Sequence, residues 1–289
     1  MIKGEKIGVG IVTCSRRRMF EKLINSLKPC NEIIDRLFVV QDIPKSHSTV
    51  KEHLDEYYVG PTIVDSWGRT TLSHAVVYAG ENLGVAKAKN KCLRDLMDFG
   101  CDHIFLIEDD IFIKDPKVFE KYIEASKVSG IQHFNFSQHG RMNKLWPEGT
   151  PNPRYIIDYG TTKLPFYPHC VGAFSYYSRI CLEFAGYMDE RYYNAWEHVD
   201  HTYMIIKNQM HPPFWTFADI ENSWEYLGDE EWSLENSLIS SNPNHKQVMM
   251  DADKIFISKH GMVPCSIPLV SDELFKESLK LIQSRYQLT

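Results

Sequence analysis

The sequence predicts an α/β fold in which a mostly parallel, twisted sheet is flanked by helices. Short apolar strands alternate with amphipathic helices through the N-terminal third of the chain, a rhythm typical of parallel sheets covered by helices. Polar clusters follow three of the strands: Thr13-Cys14-Ser15, Gln41-Asp42 and Glu108-Asp109-Asp110. Ligands of open parallel sheets bind beyond the carboxyl ends of the strands, so the three clusters predict one binding site.

The first strand and the first helix of this pattern cover residues 7–13 and about 15–27. Ser15 can cap the helix, because a serine hydroxyl accepts a backbone N–H of the first turn. Apolar residues then recur at helical spacing: Phe20, Leu23, Ile24 and Leu27. This spacing predicts that the helix packs one face against the sheet.

The strands that follow are short and apolar. Residues 37–40 (LFVV) predict a second strand, and residues 62–64 and 72–78 predict further extended segments. A helix is predicted from about 85 to 97, after a turn that ends in glycine. Residues 103–108 predict the next strand, so the acidic cluster follows that strand directly.

The second half of the chain is less regular. Residues 129–168 are rich in glycine, proline, asparagine and aromatic residues, which predicts strands joined by long loops that can shape a binding site. Helices are predicted at 180–185 and from near Glu197, and a strand at 254–258. Residues 271–286 predict a capped, amphipathic C-terminal helix.

Composition describes an ordinary soluble globular protein, with 43% hydrophobic and 24% charged residues. The net charge of -6 gives no overall basic field for nucleic acid, although two basic clusters leave a local one open: Arg16-Arg17-Arg18, and Lys87, Lys89, Lys91 and Arg94. These clusters can equally be solvated helix faces. Seven cysteines without C-x-x-C spacing, no leader pattern, and no run near the ~20 apolar residues of a membrane span indicate the cytoplasm.

The acidic triplet at 108–110 is the most informative feature of the sequence. It interrupts two apolar runs, where three adjacent carboxylates repel one another unless positive charge lies among them. Hard oxygen ligands suit magnesium, manganese and calcium, so the triplet predicts a divalent-cation site. A solvated acidic turn after the strand is the alternative.

Two common nucleotide-binding motifs are absent from the sequence. Gly8 and Gly10 lie within the predicted first strand, and no third glycine follows to complete the dinucleotide-binding fingerprint. The chain also lacks the G-x-x-x-x-G-K-[ST] phosphate-binding loop. The sequence therefore argues against a dehydrogenase and against a P-loop enzyme.

Four segments, in this order, resemble glycosyltransferases of the GT-A fold. They are Asp42 at the second strand end, N-L-G-V-A-K-A-K-N at 82–90, I-E-D-D-I-F-I at 107–113, and G-Y-M-D-E-R-Y-Y-N-A-W-E-H-V-D at 186–200. The likeness covers about residues 5–206 and is greatest to inverting, family-2-like enzymes. It implies a Rossmann-like, mostly parallel sheet, and it makes the triplet an E-D-D form of the family's D-x-D motif.

The resemblance also implies roles for individual residues. Asp110 would bind a Mn2+ or Mg2+ ion that bridges the donor diphosphate, and His260, after the predicted strand at 254–258, would complete the metal site. Asp109 or Glu108 would face the ribose or a water near the metal. The donor would contact residues of the first strand end, the second strand end, the 82–90 segment and the triplet: Thr13, Cys14, Ser15, Arg16, Asp42, Asn82, Lys87, Asn90, Glu108 and Asp109.

The catalytic base is less clear from the resemblance, because this chain departs from the family pattern. His198 stands where an aspartate base is usual, with Glu197 before it and Asp200 two residues after it. Any of the three can act as base, and Glu197 can instead serve only at the helix start. Gly172 and Trp196 would line the sugar or acceptor site, since aromatic rings cover the apolar faces of sugars.

The resemblance thus implies a single GT-A-like domain over 1–289, with a nucleotide-sugar-binding half (1–130), an acceptor and catalytic half (131–262) and a C-terminal helical extension (263–289). It implies an enzyme that moves a sugar from a nucleotide-sugar, a UDP-sugar by preference, to an acceptor hydroxyl, with inversion. The acceptor would be a glycan or a hydroxylated base in phage DNA. DNA binding through several phosphates would weaken steeply with salt.

Two other kinds of protein stay open on the sequence. A nucleotidyltransferase can share the sheet and the acidic metal site, but it usually carries a glycine-rich loop after the first strand, where this chain has C-S-R-R-R-M. A non-catalytic glycan-binding protein can keep the fold without turning over any nucleotide-sugar. The oligomeric state is not predicted.

Overall fold

The computed structural model describes residues 4–14, 16–42, 63–64, 70–71, 74–79, 81–230 and 243–287. Ser15 and Thr62, which the sequence analysis singled out, lie outside these described residues. No helix in the described ranges is both long and apolar enough to cross a membrane. The division into two functional halves and an extension stays a prediction.

A six-stranded sheet forms the centre of the molecule. Its strands are β1 (Ile7–Thr13), β2 (Arg36–Gln41), β5 (His74–Tyr78), β6 (His103–Glu108), β8 (His133–Asn135) and β11 (Phe174–Ser178). Their order is β5-β2-β1-β6-β11-β8. The first four strands run parallel, and β11 runs antiparallel to both neighbours. The predicted, mostly parallel sheet is therefore confirmed, and one reversed strand makes it mixed.

Three smaller sheets surround this one. They contain β3 (Ile63–Val64), β4 (Thr70–Thr71), β7 (Ile111–Ile113), β9 (Tyr155–Asp158), β10 (Lys163–Tyr167), β12 (Phe217–Ala218) and β13 (Leu227–Asp229). The pairing of β7 with β13 matters most for the site, because it brings Asp229 opposite Ile111, the residue after the acidic triplet. This pairing is antiparallel and joins segments more than a hundred residues apart in the chain.

The helices lie on both faces of the sheet. They are α1 (Arg17–Leu27), α2 (Val85–Phe99), α3 (Val118–Ser129), α4 (Arg179–Ala185), α5 (Glu197–Lys207), α6 (Ser223–Tyr226), α7 (His245–His260) and α8 (Asp272–Tyr286). One apolar core contains buried residues of α1, α3 and α8, and a second contains residues of α2, α4, α5 and α7. Strand β6 contributes Phe105 to the first core and Leu106 to the second, as the alternation of side chains along a strand requires.

The two glycines of β1 allow α2 to pack closely against the sheet. A Cβ atom at Gly10 would lie 2.6 Å from Cβ of Cys92, and one at Gly8 would lie 2.6 Å from Sγ of Cys101. Neither distance is tolerable between real atoms, so each glycine is needed for this approach. The glycines that do not complete a dinucleotide fingerprint therefore have a packing role.

Most predicted elements are present within a few residues of their predicted ends, but the strand predicted at 254–258 is wrong. Those residues belong to α7, which ends at Gly261 in the left-handed conformation. The apolar run K-I-F-I-S favoured a strand by composition, whereas Ala252 and Phe256 are buried four residues apart, as on a helix face. The capped C-terminal helix is confirmed, because the Ser271 side chain accepts the Leu274 backbone N–H.

Candidate active site

The three polar clusters predicted from the sequence lie together at the carboxyl edge of the sheet. The backbone N–H of Asp42 donates to the Thr13 carbonyl at 2.9 Å, which joins the ends of β1 and β2. The Thr13 hydroxyl donates to Oδ2 of Asp109 at 2.7 Å, which joins β1 to the segment after β6. Parallel strands produce this convergence directly, because their carboxyl ends share one edge.

Asp42 fixes the turn that leads into α2. Its carboxylate accepts the backbone N–H groups of Leu83 at 2.7 Å and Gly84 at 3.1 Å. Burial raises the pKa of Asp42, and the two backbone donors oppose that rise. Asn82 closes the same turn, since its side-chain oxygen accepts from the Gly84 N–H and its amide lies 3.7 Å from Sγ of Cys14.

Arg16 supplies the positive charge that the acidic triplet requires. Its guanidinium forms ion pairs with Asp109 and with Asp110, the latter at 3.0 Å. Asp109 is 1% exposed, and burial raises its pKa to about 7 against the opposing pull of Arg16. The Asp109 side chain is thus occupied by Arg16 and Thr13.

Asp110 is the member of the triplet whose buried oxygen has neither a hydrogen bond nor an ion pair within the described residues. Its Oδ2 atom accepts from Arg16, whereas its Oδ1 atom is buried and has no hydrogen-bond partner among the described residues. A buried oxygen without a partner is rare in proteins and calls for an explanation such as an ion. The described ranges contain no group of three or more metal-binding side chains. Magnesium-type sites commonly use only one or two carboxylates, with phosphate oxygens and waters supplying the other ligands.

Lys89 joins the acidic triplet to the start of α5. This lysine is 2% exposed, and its Nζ atom lies 2.7 Å from Glu108, 3.4 Å from Glu197 and 3.1 Å from the Gly172 carbonyl. Burial opposes its charge, but the carboxylates of Glu108 and Glu197 outweigh that effect and raise the pKa of Lys89. One buried cation therefore positions two carboxylates from different elements.

A pair of side chains at the start of α5 faces a large cavity. Nδ1 of His198 lies 3.0 Å from Oε1 of Glu197. Burial alone would raise the pKa of Glu197, but His198 and Lys89 outweigh it and hold that pKa well below its ordinary value. Both side chains, together with Glu108 and Gly172, line a cavity of about 1200 Å³.

A further part of the cavity lining comes from the 129–168 region, whose long loops were predicted to shape a binding site, and from Asp229, which was not predicted. It contains His139, Asp229 and a loop at 140–149 with exposed apolar side chains, among which Trp146 is 79% exposed. Asp229 accepts the Gly140 N–H at 2.8 Å and lies 3.5 Å from His139. The apolar residues M-x-x-L-W between Gly140 and Gly149, inside the loop-rich region predicted at 129–168, were the available signal for this loop. The place of Asp229 in the site could not be predicted from the sequence, because it depends on the β7–β13 pairing.

Two residues predicted for catalysis and metal binding are bound to each other instead. Nε2 of His260 lies 2.7 Å from Oδ1 of Asp200, and Lys259 donates to Oδ2 of Asp200 at 2.6 Å. Because 254–258 is helical, His260 lies at the end of α7 against α5 rather than at a strand end beside Asp110. The metal role of His260 and the catalytic role of Asp200 stay predictions.

Two other predicted residues, Asn90 and Trp196, form hydrogen bonds away from the cavity lining, and a third, Lys87, is exposed. Asn90 is fully buried and exchanges two hydrogen bonds with the Met188 backbone, so it anchors the loop before α5. Trp196 donates its indole N–H to Asp253 on α7 at 2.8 Å. Lys87 is exposed on the first turn of α2. The donor role of Asn90 and the sugar-lining role of Trp196 stay predictions.

Gly172 controls the position of His198, and the Gly172→Ala variant tests this. An added Cβ would lie 2.6 Å from Cγ and 2.9 Å from Nδ1 of the imidazole, so the ring must move. Overpacking of this kind costs about 1–3 kcal/mol of folding free energy, measurable by denaturant unfolding. In a His198→Ala background the same substitution will cost much less. An equal cost in both backgrounds would show that Gly172 does not constrain the ring.

Comparison with known proteins was made for both sequence and structure. No protein-family profile matches the chain. A sequence relative, an uncharacterized glycosyltransferase of Acanthamoeba polyphaga mimivirus, is 23% identical over 262 residues, which cover 88% of this chain and 93% of the relative.

Solved structures of glycosyltransferases are similar at lower identity. The mannosyltransferase PcManGT of Pyrobaculum calidifontis, in complex with GDP-Man and Mn2+, has a TM-score of 0.56 at 12% identity and covers 98% of this chain and 69% of its own. TarS of S. aureus has a TM-score of 0.52 at 13% identity over 97% of this chain, which spans only 43% of the TarS chain. Glucosyl-3-phosphoglycerate synthase of Mycobacterium tuberculosis, with Mn2+ and UDP, has a TM-score of 0.50 at 14% identity over 90% of this chain and 81% of its own.

At 12–14% identity, the similarity to these solved structures shows the fold alone. The fold is the GT-A fold of nucleotide-sugar glycosyltransferases, which confirms the fold class and the resemblance predicted from the sequence.

Proposed function

We propose that the protein is a metal-dependent glycosyltransferase that moves a sugar from a nucleotide-sugar to a hydroxyl of a glycan acceptor. The observation that carries this proposal is the buried Oδ1 of Asp110, which no described residue hydrogen-bonds, at the carboxyl edge of the parallel strands. That edge is where α/β proteins of this type bind nucleotides. Glu108, two residues before Asp110, lines the cavity that also contains Glu197 and His198.

The donor is proposed to bind across the ends of β1 and β2. Thr13, Cys14 and Asp42 lie together there, and Asp42 fixes the turn before α2. Two of the solved neighbours carry GDP-Man or UDP, both of which present a diphosphate next to a ribose. A UDP-sugar remains our preferred donor, with Ser15 and Asn82 as further predicted contacts.

The divalent cation is proposed to bind Asp110, with diphosphate oxygens as the other main ligands. Mn2+ is present in two of the neighbours. When bound, Mn2+ or Mg2+ acts as a Lewis acid that stabilises charge on the departing diphosphate. Arg16 holds Asp110 and Asp109 in place, and Lys87 on the first turn of α2 can approach a phosphate group there.

The acceptor is proposed to enter the cavity between α5 and the 140–149 loop. Exposed Trp146 and Met142 supply apolar surface of the kind that sugar rings bind, and Glu197 and His198 supply a base near the reacting centre. If the base activates the acceptor on the face of the sugar opposite to the diphosphate, the reaction inverts the configuration at the anomeric carbon. A hydroxylated DNA base has no support among the neighbours, so a glycan is the proposed acceptor.

A donor screen tests the proposed function. UDP-glucose, UDP-galactose, UDP-N-acetylglucosamine and GDP-mannose are incubated with the protein and Mn2+, and release of nucleoside diphosphate is followed. We expect release from one donor, its loss with EDTA, and an inverted product anomer by NMR. Release of pyrophosphate from a sugar phosphate and nucleoside triphosphate would instead indicate a nucleotidyltransferase. Binding without any turnover would indicate a glycan-binding protein.

A further inference from the structure

We propose that Glu197 and His198 form a dyad in which His198 is the general base for the acceptor hydroxyl and Glu197 positions it. This inference rests on the proposed function and assigns the base within that site. Both residues line the cavity, and both belong to the first turn of α5. His198 is the catalytic residue of this pair, and Glu197 acts through it.

The contact between the two side chains determines which imidazole nitrogen is available. Nδ1 of His198 lies 3.0 Å from Oε1 of Glu197, and a carboxylate there accepts a hydrogen bond from an Nδ1–H group. The proton of the neutral ring therefore resides on Nδ1. Nε2 then carries the lone pair, and it has no hydrogen bond to the described part of the chain.

Glu197 is held rigidly enough to orient the ring. Its side chain is 6% exposed, and the same Oε1 atom lies 3.4 Å from Nζ of Lys89, which the Gly172 carbonyl and Glu108 also bind. Gly172 packs against the other side of the imidazole, where even one methyl group would overlap with it. The ring is thus fixed between a carboxylate and a side-chain-free backbone segment.

Other candidate bases in this region are unsuitable. The Glu197 carboxylate is buried and paired with two nitrogen groups, so it has little tendency to take a further proton. Asp200 is occupied by Lys259 and His260 on the far side of α5. His198, whose side chain is 23% exposed, can reach a hydroxyl in the cavity.

The charged and titratable groups around the dyad come from three other elements. Lys89 of α2 and Glu108 of β6 form an ion pair with each other beside Glu197. His133 of β8 is fully buried, and burial together with His211 lowers its pKa, so it stays neutral. Beside Glu197, the charges of Lys89 and Glu108 therefore offset each other.

The proton balance of the step follows from this geometry. The acceptor oxygen forms a bond to the anomeric carbon while its proton moves to Nε2 of His198. The bond from the anomeric carbon to the diphosphate oxygen breaks, and its electron pair leaves with the nucleoside diphosphate. Glu197 stabilises the imidazolium, which later releases the proton to water.

The test compares His198→Ala, Glu197→Gln and the double variant, using the donor that the wild-type protein turns over. We expect His198→Ala to lower kcat about 10²–10⁴-fold with little change in donor KM, and added imidazole to restore part of the rate. Glu197→Gln will lower kcat less. In the His198→Ala background it will have no further effect, because Glu197 acts only through His198. A further loss in that background, or no rescue by imidazole, would assign the base to Glu197 instead.

A spectroscopic measurement separates this inference from the proposed function and from simple misfolding. Nitrogen NMR of histidine-labelled protein, at a pH where imidazoles are neutral, will show His198 protonated on Nδ1 in the wild type, and this preference will be lost in Glu197→Gln. An Nε2-protonated ring in the wild type would overturn the dyad.

UDP binding with Mn2+, followed by calorimetry, will be unchanged in His198→Ala. A wild-type protein that turns over no nucleotide-sugar would refute the proposed function, while the NMR result would still stand on its own.

Discussion

The Asp110→Asn variant will lose about a thousandfold or more of its metal-dependent turnover, the largest effect on activity that the site predicts. Within the part of the chain that the structure describes, Asp110 has one buried oxygen without a hydrogen-bond partner. Asparagine replaces a carboxylate oxygen with an amide nitrogen while keeping the shape of the side chain. Lewis-acid stabilisation of a leaving group is worth several kcal/mol, and each ~1.4 kcal/mol changes a rate about tenfold. Release of nucleoside diphosphate at saturating donor and Mn2+ measures the loss.

A matched control is available at Asp251. This aspartate is exposed on α7, where it pairs with Lys254, so Asp251→Asn removes the same charge away from the cavity. Its turnover will equal that of the wild type. Calorimetry with Mn2+ and UDP gives a second readout, because binding of Mn2+ in the presence of UDP will weaken only in Asp110→Asn. If Asp110→Asn retains full turnover, Asp110 does not bind the metal and the proposed donor site is wrong.

The site residues that could be predicted from the sequence are those whose positions follow from local secondary structure. Thr13 is the last residue of β1, and Asp42 and Asp109 directly follow β2 and β6. Parallel strands bring such positions together whatever the loops do. The same local argument predicted β6, α2 and the capped α8. The E-D-D triplet needed no tertiary information beyond the direction of the strands.

The part that could not be predicted depends on how distant segments dock. Asp200 and His260 are sixty residues apart, and their contact arises because α7 packs against α5. From the sequence alone, the histidine after an apolar run favoured a metal-binding role, and the aspartate near a family motif favoured a catalytic role. Asp229 was missed for the same reason, since its place depends on the β7–β13 pairing. Lys89 belongs to the predicted basic cluster on α2, yet it is buried.

The Lys89→Met variant will show the largest loss of stability among the site substitutions. Lys89 is the cation between Glu108 and Glu197, and methionine keeps the length of the side chain while removing its charge. Removing one partner of a buried ion pair typically costs about 3–5 kcal/mol, because a buried charge is left uncompensated. For a domain of this size, that corresponds to a decrease in Tm of roughly 10 °C. Thermal unfolding followed by circular dichroism measures it.

The exposed neighbour Lys87 supplies the control, since Lys87→Met removes the same charge from the same helix at a solvated position. Its effect on Tm will be small, as expected for an exposed lysine. If both variants unfold at the same temperature, the buried position of Lys89 contributes nothing and the bridge between Glu108 and Glu197 is not a stabilising element.

The loss of unfolding free energy in Lys89→Met will depend on pH, because part of it is electrostatic. The folded pKa of Glu197 is held below its ordinary value of 4.5, so the stabilisation of that carboxylate is complete above pH 4.5 and is lost as the pH falls towards the folded pKa. The stability difference between wild type and Lys89→Met will therefore be greatest near neutral pH and will shrink below about pH 4.5. If this stability difference stays constant as the pH falls below about 4.5, the lysine stabilises the protein through the packing of its aliphatic chain. The carboxylates of Glu108 and Glu197 would then be positioned by the backbone alone.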